Sequence, residues 1–83
     1  MKIPTIHLNG TNRRVLVDQW SEAYLAIEDA KKVLADAGPN ARDYYLQEPG
    51  AFYTAQDEHC ARLQKLQDVI DDLHTLTNTV LDG

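Results

Sequence analysis

The segment Leu16-Val17-Asp18-Gln19-Trp20-Ser21-Glu22-Ala23-Tyr24-Leu25-Ala26-Ile27-Glu28-Asp29-Ala30-Lys31-Lys32-Val33-Leu34-Ala35-Asp36-Ala37 decides how the chain folds. Within it Leu16, Trp20, Ala23, Ile27, Ala30, Leu34 and Ala37 recur in alternating steps of four and three, the spacing that lays side chains along one face of an α-helix. Val17, Tyr24 and the stems of Lys31 and Lys32 widen this seam, while Asp18, Glu22, Glu28, Asp29 and Asp36 lie mostly off it. Thr11 or Asn12 supplies an N-cap after the Asn9-Gly10 turn signal, and Gly38-Pro39 supplies a stop. The predicted first helix covers about 12–37.

A second seam runs through Phe52, Ala55, His59, Leu63, Leu66, Ile70, Leu73, Thr77 and Val80, with Val69 and Leu76 on one flank. It predicts a helix over about 51–81, beginning near Pro49 to Phe52, where a proline is tolerated because the first backbone donors have no helical partner. At a rise of about 1.5 Å per residue the two helices reach roughly 39 and 45 Å, so they match in length. Two matched helices joined by a short connection pack antiparallel, which makes the fold class mainly α: a two-helix hairpin in one domain spanning residues 1–83, with arm 1–10 and linker 38–50. A lone pair leaves each seam half covered. An oligomeric bundle, in the simplest form a dimer of hairpins, is therefore expected, with Leu16, Trp20, Ile27, Leu34, Leu63, Leu66, Ile70 and Leu73 at its interface.

The arm reads as a short strand or an extended segment, because Ile6 and Leu8 alternate with Thr5, His7 and Asn9. Pro4 confines it to an edge or a strand start. Asn9-Gly10 could instead close a hairpin onto a strand at residues 12–17, but Leu16 and Trp20 fit the helical seam better.

Composition limits the function. The 83 residues leave room for one core, and 43% hydrophobic with 25% charged residues is the balance of a folded chain. Thirteen acidic against eight basic residues give a net charge of −5, which disfavours nucleic acid as a partner because phosphate neutralisation carries that binding. The apolar runs, such as Val15-Leu16-Val17, are far shorter than the roughly 20 residues of a membrane span. Residues 1–8 lack the apolar core and cleavage site of a signal peptide, and the single Cys60 cannot form an internal disulfide; both agree with a cytoplasmic setting.

No catalytic constellation is apparent. Cys60 and His59 are adjacent and point about 100° apart on a helix, and His7, His59 and His74 form no two-ligand pair at helical spacing, so neither nucleophilic catalysis nor a metal is expected. The four glycines mark element ends and form no phosphate loop. No cofactor is expected.

Recognition chemistry concentrates in the linker. Asn40, Arg42, Asp43, Tyr44 and Tyr45, with Tyr53 close behind, combine a fork-shaped cation suited to phosphate or carboxylate with aromatic faces suited to a base. The competing reading has a tyrosine plugging the open end of the hairpin while Arg42 and Asp43 pair or cap helix ends. The segments Ile6-His7-Leu8-Asn9-Gly10-Thr11 and Asn40-Ala41-Arg42-Asp43-Tyr44-Tyr45 give the chain a further aspect: it resembles a family of short accessory proteins encoded by tailed phages and prophages. That resemblance implies an accessory role, in the host bacterium's cytoplasm and often against host immunity, and carries no catalytic residue across.

Three expectations follow. One is a non-catalytic oligomer that sequesters a small anionic, nucleotide-like ligand through Arg42 and Tyr44 or Tyr45. Another is an acidic inhibitor of a basic host protein, of an anti-CRISPR type, acting through Asp68, Asp71 and Asp72, which lie in a stretch, 67–83, without Lys or Arg. The third is a structural or assembly oligomer.

Overall fold

In the computed structural model, which describes residues 1–83, the seams become two helices packed against each other: α1 (Arg13–Asp36) and α2 (Ala51–Asp82). Asn12 is the N-cap of α1, and its Oδ1 accepts from the Val15 amide at 2.9 Å. That bond satisfies one of the donors a helix start leaves free. No helix is long and apolar enough to cross a membrane.

α2 begins at Ala51, inside the expected range from Pro49 to Phe52. Gly50 takes the N-cap position with φ +88°, a left-handed conformation that only glycine adopts without strain, and Pro49 stands before it rather than in the first turn. Asn9-Gly10 does form a turn, closed by the Gly10 amide donating to the His7 carbonyl at 3.1 Å, but no β-hairpin follows, because residues 12–17 belong to the cap and first turn of α1. No strand forms in residues 1–7, which carry no regular secondary structure. Ile3, Pro4 and Ile6 line a shallow hollow together with Thr79, Val80 and Gly83 at the far end of α2.

Every member of the α2 seam, from Phe52 to Val80, is buried or half-buried. Ile70 is 2% exposed and holds the centre. The α1 face is rotated from expectation: Leu16, Trp20, Ile27 and Leu34 turn inward together with Val17, Tyr24 and Lys31, whereas Ala23, Ala30 and Ala37 stay exposed. The larger side chains remove more apolar area from water, so they win the inward face. Tyr24 stacks on His74 with ring centroids 4.4 Å apart, and the Lys31 ammonium donates to Gln67 Oε1, whose amide in turn donates to Asp71.

The pair is thin. It measures 62 × 20 × 18 Å, a cross-section of two helix diameters, and its radius of gyration of 18.5 Å exceeds the roughly 12 Å of a compact chain of this length. Its surface of 6315 Å² is about a quarter above the roughly 5,000 Å² usual for a 9.4 kDa monomer. The excess has a side. Ala23, Ala26, Ala30 and Val33 on α1 and Val69 and Leu76 on α2 each trail the inward face in helical phase, and reversing one helix brings two such flanks to the same side of the pair. On that side Val33 is 71% and Val69 44% exposed.

Candidate functional site

The linker is hydrogen-bonded along its length. Asn40 caps a short 3-10 turn, Ala41–Tyr44, its side chain accepting from the Arg42 amide at 3.3 Å and its carbonyl from the Asp43 amide at 3.0 Å. The Gln47 amide then donates to the Tyr44 carbonyl and the Ala51 amide to the Glu48 carbonyl, delivering the chain to α2.

This path separates the two neighbouring tyrosines. Tyr44 turns inward and its ring sits 6.2 Å from that of Phe52, plugging the open end of the hairpin. Tyr45 is 76% exposed, and Leu46 and Tyr53 are exposed with it. Arg42 and Asp43 do not pair, since the ion pairs present are Arg14–Asp18 and Arg62–Glu58. The Arg42 guanidinium, exposed and without a protein carboxylate, is free to receive an anion.

Between the helix ends lies an open hollow of about 290 Å³, on the same side as the apolar flank, lined by Ala37, Pro39, Tyr44, Gln47, Glu48, Ala51, Thr54, Ala55, Glu58, His59 and Arg62. Of the residues expected at a site, only Tyr44 lines it. Asn40 acts as a cap, and Arg42, Asp43, Tyr45 and Tyr53 stand outside the hollow. Glu58, His59 and Arg62 come from α2, where sequence spacing marks only His59, as a seam residue; what brings them to the linker is antiparallel packing, which sets residue 59 against residue 34.

His59 organises this end. It is 8% exposed, and its Nε2–H donates to the Leu34 carbonyl at 2.7 Å, an oxygen that also accepts from the Ala37 amide at 3.1 Å. The last carbonyls of a helix lack intrahelical donors, so His59 closes α1 from the neighbouring helix. Gly38 packs beside it: a Cβ there would lie 3.6 Å from His59 Cδ2.

Comparison with known protein families, with characterised proteins and with solved structures gives no match.

Proposed function

We propose that the chain is a non-catalytic, self-associating binding protein whose linker end captures a small anionic, nucleotide-like ligand, in the manner of a phage-encoded accessory protein that withdraws a host defence signal. The observation that carries this reading is the free, exposed Arg42 guanidinium on a linker that also presents the exposed Tyr45 ring and whose Tyr44 lines an open hollow. A guanidinium holds phosphate oxygens bidentately, and a tyrosine face stacks on a base. Side chains spent on folding would be tied into the helix ends, and these are not.

Self-association is supported by the one-sided apolar flank from Ala23 to Val33 and Val69 to Leu76. A second copy on that side would remove it from water and would also stand beside the hollow, so two linkers could contribute to one pocket. The acidic-inhibitor reading is weakened because Asp68 and Asp71 each accept a hydrogen bond from a glutamine four residues earlier, leaving Asp72 alone of the three without one.

Calorimetry of the whole protein against cyclic and linear nucleotides tests the proposal. Saturable heat with at least one of them is expected, and Arg42→Ala should abolish it without changing the thermal midpoint. Silence across the panel would remove the ligand-capture reading.

A further inference from the structure

His59 offers more than a cap. A carbonyl oxygen only accepts, so the bond to Leu34 places the imidazole proton on Nε2 and leaves Nδ1 as an acceptor. The Nε2–Cδ2 edge faces Gly38 and the end of α1, which turns the Nδ1 edge away from that helix. Nδ1 has no partner in the protein. It is also not sealed, because Thr77 Oγ1 is the only buried side-chain polar atom left without one. His59 itself lines the hollow.

The surrounding chemistry points the same way. Glu48, Glu58 and Gln47 bring acceptors, against a single guanidinium, Arg62, which already lies 4.0 Å from Glu58. Two carboxylates and one cation make a poor seat for a phosphate and a good one for hydroxyl or amino donors.

We infer that His59 is a specificity-determining acceptor: fixed in its Nε2–H tautomer by the Leu34 carbonyl, it receives through Nδ1 a hydrogen bond from a hydroxyl or exocyclic amine of the ligand. The ligand's donor-bearing edge then enters the hollow while its phosphate stays outside at Arg42. This inference rests on the ligand-capture reading and adds that the preferred ligands are ribonucleotides or amino-bearing bases. A site built to receive a donor discriminates strongly against an analogue that lacks it, since its own acceptor is then left unpaired.

The test titrates the whole protein with adenosine 5′-monophosphate, its 2′-deoxy and 3′-deoxy forms, and inosine 5′-monophosphate, which lacks the amine. At least one deletion should weaken binding about tenfold. His59→Gln, which keeps a side-chain N–H for the Leu34 carbonyl, should level that difference and leave helicity intact. Equal affinity for all four compounds, or a preference that persists in His59→Gln, overturns the role of His59 while leaving ligand capture standing. Binding of none of them overturns the inference, while the reading beneath it falls only if the wider nucleotide panel is silent as well. Nitrogen-15 spectra of the wild-type imidazole give a readout that does not depend on the variant folding: Nε2 carries the proton, and only the Nδ1 resonance moves as adenosine 5′-monophosphate is added. A proton on Nδ1 in the free protein, or an Nδ1 signal that binding leaves in place, refutes the assignment.

Discussion

Replacing Thr77 with valine should make the hairpin more stable. Thr77 lies on the inward face of α2, 8% exposed, and its hydroxyl has no hydrogen-bond partner. An unpaired buried hydroxyl costs about 1–3 kcal/mol on the scale of protein substitutions. Valine keeps the branched shape and nearly the same volume, exchanging the hydroxyl for a methyl, so neither a cavity nor a helix-propensity penalty offsets the gain. The expected net effect is about 1 kcal/mol, which in a chain this short raises Tm by roughly 4–8 °C. Thermal and urea denaturation, at one protein concentration because association also shifts Tm, measure it. The internal control is Thr75→Val: Thr75 is exposed and its hydroxyl donates to the Asp71 carbonyl at 3.1 Å, so removing it should change Tm little. A Thr77→Val protein that melts at or below the wild-type temperature would show that the hydroxyl is satisfied in solution, and the reasoning from its isolation would fail.

Other substitutions probe the rest of the molecule. Ile70→Ala, at the most covered position of the seam, should lose about 2–5 kcal/mol in urea denaturation, enough to unfold much of the population. Gly50→Ala should cost about 1–2 kcal/mol through backbone strain alone, since φ is +88° and a Cβ there meets nothing within 4 Å; a neutral result by the same measurement would mean the linker can relax. Ala26→Glu, on the exposed flank of α1, should leave the circular dichroism of a dilute sample unchanged while shifting sedimentation toward the monomer.

The helices were legible because their signals are local and redundant. Asn12 caps, the spacing from Phe52 to Val80 holds over the whole of α2, and no stronger competing pattern overlaps it. The rotation of α1 was not legible, for a physical reason. Ala23, Ala26, Ala30, Val33 and Ala37 form their own three-and-four repeat beside the inward one, and in sequence two adjacent stripes merge into a single broad seam. The candidate site was readable only where it is contiguous, in the run from Asn40 to Tyr45. Glu58, His59 and Arg62 reach the hollow through a pairing register between the helices that no stretch of either helix encodes alone. His59 looked like an ordinary seam histidine, and its bond to a carbonyl 25 residues away depends on where α1 ends.

The thinness of the pair has a consequence for the protein's lifetime in a cell. With only five residues buried, an isolated chain has little holding it folded, and under the proposed self-association much of its protection from proteolysis would come from other copies. Abundance and durability would then rise together. Sparse copies would open and be cleared faster than abundant ones, so a burst of synthesis would lengthen the life of each copy it makes.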